Sequence, residues 1–285
     1  MARPYEIFHG KARSILSKTS GFIAEAGFTH SLTPARNCTY GCTYCYVPTM
    51  GLYGGLKPED WQRWGQFTTY KTNAAALLAQ QLRPEQVIYC SPLVDPYQPS
   101  EEQECSMPAI LDALIARPPR IFTMQTRGVS IVRDLDRLLA LHAVTKLRIS
   151  FSVTTNREDV RRRYEPHCES YEQRIEAIAA LRAAGLDVYM TLAPILPCDP
   201  EVLAEAALAN TGNDVIGDPL HVREVKRSGA TTREAARRIG EKHGEEQWFD
   251  PQFQADVSRR IGEVIRSAGR RFGTGPEAFS WLAQN

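Results

Sequence analysis

Arg36-Asn37-Cys38-Thr39-Tyr40-Gly41-Cys42-Thr43-Tyr44-Cys45-Tyr46-Val47-Pro48 holds three of the chain's seven cysteines within eight residues, spaced C-x3-C-x2-C, with no fourth cysteine nearby. A structural zinc site closes with four ligands, commonly drawn from two separated pairs. A 4Fe–4S cluster has four irons, and thiolates are its usual ligands. Three thiolates leave one iron open to a ligand the protein does not supply. The spacing therefore asks for a cofactor or substrate at the fourth corner. The bland alternative is three buried or zinc-binding cysteines that happen to be sequence neighbours.

With Tyr44 just before the last cysteine, this stretch resembles the cluster motif of the radical S-adenosylmethionine (SAM) superfamily. The resemblance implies that Cys38, Cys42 and Cys45 ligate a 4Fe–4S cluster whose open iron takes the amino and carboxylate groups of SAM. It also implies reductive cleavage of SAM to a 5′-deoxyadenosyl radical that abstracts hydrogen from a substrate. An electron donor such as flavodoxin or ferredoxin follows as the expected partner.

Length and composition set wide bounds. A chain of 285 residues is one large α/β domain or two small ones. Hydrophobic residues at 43% and charged residues at 24% are ordinary for a globular protein. A formal charge of +1 gives no global attraction to nucleic acid or membrane. No apolar run approaches the roughly 18–20 residues of a membrane span, and Met1-Ala2-Arg3-Pro4-Tyr5-Glu6 lacks a signal-peptide core. An odd cysteine count does not read as a disulfide framework, so a reducing cytoplasm is expected.

Beyond the cysteine loop, strand and helix signals alternate. Strands are expected at 28–32, 86–90, 121–125, 146–153, 187–193 and 214–217. Helices are expected at 74–82, 107–117, 132–141, 202–208 and from the capping box Ser170-x-x-Gln173 to Gly185. Gly51, Gly54 and Gly55 mark an irregular continuation of the loop. Helices follow at 231–242, with a Thr231-x-x-Glu234 capping box, and at 251–268, between Asp250 and Gly269. Six strands with helical crossovers argue for a parallel α/β sheet, and the resemblance implies a (β/α)6 partial TIM barrel. The expected division is a polar lead-in at 1–27, the barrel at 28–220, and a helical C-terminal extension at 221–285.

In a parallel barrel, reactive residues sit where strands run into loops at the C-terminal face. Those positions hold Cys90-Ser91, Asp95-Pro96-Tyr97-Gln98-Pro99, Thr126-Arg127, Ser152, and Leu192-Ala193-Pro194. Taken with Tyr164-Glu165-Pro166, they resemble the spore photoproduct lyase-like group of the superfamily over roughly residues 11–220. The resemblance implies that Ser91 and Arg127 bind the methionine carboxylate of SAM, and that Ser152 bonds its ribose. It further implies Cys90 as hydrogen donor, with Tyr44 and Tyr46 relaying the radical. Arg127 stands where the lyase is usually written with lysine, and either cation satisfies a carboxylate.

Other readings compete at several positions. A cysteine ending the apolar run Val87-Ile88-Tyr89 is also a small buried hydrophobe. Cys105, Cys168 and Cys198 have no sequence partners and read as structural or incidental. Arg157, Arg161, Arg162 and Arg163 suit phosphate contacts or a solvated helix face beside Glu158 and Asp159. A DNA photolesion is thus one expected substrate; another small molecule, a peptide or RNA is the alternative. A non-catalytic iron–sulfur or zinc protein is the rival of a different class. The six histidines lack metal-ligand spacing, and phosphate-loop and dinucleotide fingerprints are absent.

Overall fold

The computed structural model describes residues 5–50, 62–221 and 233–284. Its strands are β1 (Glu6–Gly10), β2 (Leu16–Lys18), β3 (His30–Leu32), β4 (Ala35–Arg36), β5 (Phe67–Lys71), β6 (Val87–Cys90), β7 (Ile121–Thr126), β8 (Lys146–Ser152), β9 (Val188–Ile195), β10 (Val215–Pro219) and β11 (Phe272–Thr274). The large sheet runs β11-β10-β9-β8-β7-β6-β3-β2. The β2–β3 pair is antiparallel and every other neighbouring pair is parallel. The six expected strands are β3 and β6 to β10, and they form the (β/α)6 partial barrel. A seventh parallel strand, β11, extends its edge, so the C-terminal part is not wholly helical.

Alternation along each strand separates two cores. Outward residues Ile88, Phe122, Ile149 and Met190 pack against Leu78, Leu111, Leu138, Ile178 and Leu203 of the crossover helices. Inward residues Val87, Tyr89, Ile121, Tyr189 and Ile216 pack with Phe28, Ala278, Phe279 and Leu282. The C-terminal residues therefore plug the lower interior. Thr123 Oγ1 donates to the Leu282 carbonyl at 2.8 Å, and Arg148 Nη1 donates to the Gln284 carbonyl at 2.6 Å. Farther along the strands this face turns polar, with Ser150 Oγ 2.7 Å from Thr191 Oγ1 and Gln125 Nε2 donating to Ser152 Oγ at 3.2 Å.

Local signals set the helix ends where side chains cap them. The Ser170–Gln173 box closes on helix Tyr171–Ala183, which ends before Gly185 at φ +87°. Asp250 accepts from the Phe253 amide at 2.9 Å to start Pro251–Ser267. The region expected as helix 132–141 is instead a 3-10 turn over Val129–Asp134 followed by helix Leu135–His142. There the Asp134 carboxylate accepts from Tyr97 and Arg133 side chains rather than capping a longer helix. Thr231 and Gly51, Gly54 and Gly55 lie outside the described residues.

A second sheet, β1-β5-β4, is not expected from the sequence. β4 pairs antiparallel with β5, Ala35 opposite Tyr70 and Arg36 opposite Thr69, and the cysteine loop leaves directly from it. Thr68 Oγ1 donates to the Asn37 carbonyl at 2.9 Å, fixing the loop's first residue. This small sheet is the bracket that sets the loop above β3.

Candidate active site

The cysteine loop sits at the C-terminal end of β3, and its neighbours explain its course. Thr39 N donates to Gln98 Oε1 at 2.7 Å, and Ser100 N donates to Thr39 Oγ1 at 3.2 Å. Asp95 accepts from Thr126 Oγ1 at 2.6 Å and the Arg127 amide at 2.8 Å. The Asp95–Ser100 run thereby ties the loop to the end of β7. Gly41 and Gly65 cross so closely that a Cβ on Gly65 would stand 2.7 Å from Gly41 Cα. On the other side, Thr43 N donates to the Tyr164 carbonyl at 2.9 Å.

Cys38 and Cys42 are buried and Cys45 is half-buried. Burial pushes the Cys38 thiol well up, and pushes Cys45 up to about 12. Cys42 moves the other way: the neighbouring Cys168 thiol, with the Arg127 charge, outweighs its burial. Arg127 Nη1 lies 3.5 Å from Cys42 Sγ and donates to Tyr44 Oη at 2.6 Å. It also pairs with Glu165, whose second oxygen lies 3.0 Å from Arg174 Nη1. Tyr44 and Thr154 hydroxyls donate to Glu165 at 2.6 and 2.7 Å. Burial would raise the Glu165 pKa, but Arg127, Arg174 and these hydroxyls hold it at about 2.

Arg127 and Arg174 share the Glu165 carboxylate, with Asp95 also near Arg127 and Glu169 near Arg174. Arg174 is fully buried, and none of its side-chain nitrogens makes an aligned hydrogen bond among the described residues. A buried cation with unsatisfied donors is costly, and an added anion would relieve it. The thiolates of a cluster and the carboxylate of a ligand are such anions. Ser91 Oγ is also buried with no partner among the described residues. These orphaned groups fit an anionic, polar cofactor.

The same charges argue against a single bound cation. Cys42, Glu165 and Cys168 place their ligand atoms within 4.8 Å of one another, the size of a mononuclear site. Glu165 is already held by two guanidiniums, which would repel an added zinc. Cys38, Cys42 and Cys45 do not form so tight a group. Ligands of different irons in one cluster need not converge on a common point.

A model of the radical SAM superfamily matches residues 32–205, more than half of the chain. The chain belongs to the radical SAM superfamily. The family implies an iron–sulfur cluster, SAM and a source of electrons. The uncharacterized protein Rv2578c of Mycobacterium tuberculosis is 26% identical over 289 residues, spanning 93% of this chain and 82% of its own length. The uncharacterized protein MJ0683 of Methanocaldococcus jannaschii is 25% identical over 160 residues, 56% of this chain and 58% of its own. Spore photoproduct lyase complexed with dinucleoside spore photoproduct matches with a TM-score of 0.65 at 15% identity, over 94% of this chain and 81% of that one. A double mutant of that lyase with bound AdoMet and the same dinucleoside also matches at TM-score 0.65. This likeness shows a shared fold.

Within the radical SAM fold the expected residues fall into separate groups. Arg127, Tyr44 and Cys42 meet in the network around Glu165. Ser152 lies on the inner face of the strands, and Tyr46 Oη donates to the Pro92 carbonyl at 2.7 Å, beside Ser91. Cys90 does not join them. It is fully buried in the outer core with Leu32, Met124 and Leu111, because alternation after inward Tyr89 turns it toward the helices. That placement gives no support to a hydrogen-donor role.

The arginines beyond β8 are also taken. Arg157 pairs with Asp159, Arg161 and Arg162 with Glu158, and Arg163 with Asp159 and Glu245. Arg161 further donates to the Cys168 carbonyl at 2.6 Å. They hold a loop rather than present a bare phosphate-binding row. Sequence reading missed Arg174, although its place in the apolar stripe with Ala177, Ile178 and Leu181 marked it as buried. It also missed the pairing of Asp218, near the end of β10, with His221 just beyond it at 2.9 Å. No helix among the described residues is long and apolar enough to cross a membrane.

Proposed function

We propose that this chain is a SAM-cleaving radical enzyme in which Cys38, Cys42 and Cys45 hold a 4Fe–4S cluster. The observation that carries the reading is the three-cysteine loop at the C-terminal edge of the parallel sheet, near the buried Arg174 guanidinium and Ser91 hydroxyl, which lack aligned hydrogen-bond partners among the described residues. When bound, the reduced cluster supplies the electron that cleaves SAM to a 5′-deoxyadenosyl radical, which takes hydrogen from a substrate. The protein's own work is to place and shield these groups. Ser91 offers its unpartnered hydroxyl to SAM, Arg127 faces its carboxylate, and Ser152 suits its ribose. The described contacts of the Arg127 side chain use Nη1, which leaves the rest of the fork for a carboxylate.

Tyr44 and Tyr46 remain the candidates for a radical relay, Tyr46 by its place beside Ser91. We assign Cys90 to packing. Flavodoxin or ferredoxin is the electron donor we expect, and the cytoplasm is the expected compartment. Anaerobic reconstitution, dithionite reduction and mass spectrometry for 5′-deoxyadenosine test the reading. Product that survives replacement of each of the three cysteines would refute it. One zinc per chain in place of about four irons would favour a non-catalytic metal protein.

For the substrate, the shared fold with spore photoproduct lyase supports a DNA photolesion. The paired arginines favour the alternative in its small-molecule or peptide form, since RNA would call on the same phosphate contacts as DNA. Incubation with an oligonucleotide carrying spore photoproduct separates them: recovered thymine supports the lesion, and none retires it.

A further inference from the structure

Cys168 is the one thiol outside the C-x3-C-x2-C loop that the described fold brings against a loop cysteine. Its Sγ, Cys42 Sγ and a Glu165 oxygen lie within 4.8 Å of one another, and its side chain is buried. The backbone that carries it is fixed from both sides. Cys168 N donates to the Glu165 carbonyl at 3.1 Å, and the Cys168 carbonyl accepts from Arg161 Nη1 at 2.6 Å. Two residues later the Ser170 cap starts the next helix. The thiol is therefore held at Cys42 by the fold.

We propose that Cys168 is a hydrogen-bond donor to Cys42 Sγ that, together with Arg127, raises the reduction potential of the cluster on the three-cysteine loop. The inference rests on the cluster reading above. A ligating thiolate is an acceptor without a proton of its own, so a neighbouring S–H is the group that can donate. Adding an electron to a cluster increases the negative charge on its sulfurs. Donors aimed at a sulfur stabilise that reduced state, and hydrogen bonds to sulfur are a recognised control of cluster potential. Arg127 Nη1 at 3.5 Å supplies one donor to Cys42, and the Cys168 thiol, its Sγ within 4.8 Å of Cys42 Sγ, is placed to supply a second from the other element. A ligand role for Cys168 is disfavoured, since a fourth thiolate would close the iron that SAM needs.

The full chain is reconstituted anaerobically as wild type, Cys168→Ala and Cys168→Ser. Iron and sulfide content is read first. No cluster in wild type would sink the cluster reading itself, and this inference with it. With clusters present, potentiometric titration followed by electron paramagnetic resonance is expected to give a more negative midpoint for Cys168→Ala. Cys168→Ser, which keeps a donor, should lie between. Resonance Raman spectra in H2O and D2O should show an isotope shift of an Fe–S(Cys) stretch that shrinks in Cys168→Ala. Equal midpoints in wild type and Cys168→Ala overturn the proposal while leaving the cluster reading intact. Loss of the cluster from both folded variants also overturns it, because Cys168 would then be a ligand.

Discussion

The two ends of the barrel interior are built on opposite principles. At the lower end Phe28, Tyr89, Phe279 and Leu282 close the space with apolar surface, and Phe28 meets Tyr89 edge to face at 4.8 Å between ring centroids. At the upper end Glu165 and Arg174 are buried, and Arg127 half-buried, among Tyr44, Thr154 and two cysteines. The lower end needs nothing else. The upper end keeps Arg174 and Ser91 donors without aligned partners among the described residues, as a site built to receive a polar cofactor would.

The sharpest break in that comparison is functional. Replacing Cys38, Cys42 or Cys45 by alanine is expected to take 5′-deoxyadenosine formation to background, measured by mass spectrometry. Melting of the cluster-free protein should change little, because each variant leaves the lower core untouched.

Next in size is Glu165→Gln. It strands two buried guanidiniums, and breaking a buried pair in this way costs about 3–5 kcal/mol, read from denaturant unfolding at neutral pH. The sign of its pH dependence is fixed. Glu165 is held down at about 2, so its stabilisation is present above the unfolded carboxylate pKa and fades as pH falls toward 2. The gap between wild type and Glu165→Gln should therefore close in acid. A gap that stays constant would mean that Glu165 acts through packing.

Leu282→Ala probes the lower end, where loss of a fully buried leucine costs about 2–5 kcal/mol. Here the gap should not move with pH, and SAM cleavage should persist while the protein remains folded. A strong pH dependence would erase the contrast between the two ends.

The smallest effect belongs to Glu169, which accepts from Tyr40 Oη at 3.1 Å. Burial raises its pKa to about 7. The folded state then keeps a proton that the unfolded chain has already lost, so wild-type stability falls as pH rises from the ordinary carboxylate range to about 7. Glu169→Gln should flatten that slope, a change on the order of 1–2 kcal/mol across the window. Identical slopes in the two proteins would place Glu169 in solvent.

The sequence by itself determined the cysteine loop, the six parallel strands and the capped helices. These depend on local spacing: period-two apolar runs, a Ser170–Gln173 box, and three cysteines within eight residues. Tertiary structure alone decided what surrounds the loop. β5 joins it through pairings across more than thirty residues, Thr68 to Arg36 among them. Glu165 reaches Arg127 from 38 residues away and Tyr44 from 121. Cys90 and Cys168 exchange the weights their sequence contexts suggest, one turned outward by strand alternation and the other brought to Cys42 by a chain reversal. Charges and thiols carry no periodicity that reveals their partners. Their roles follow from burial and neighbours, and those exist only once the chain has folded.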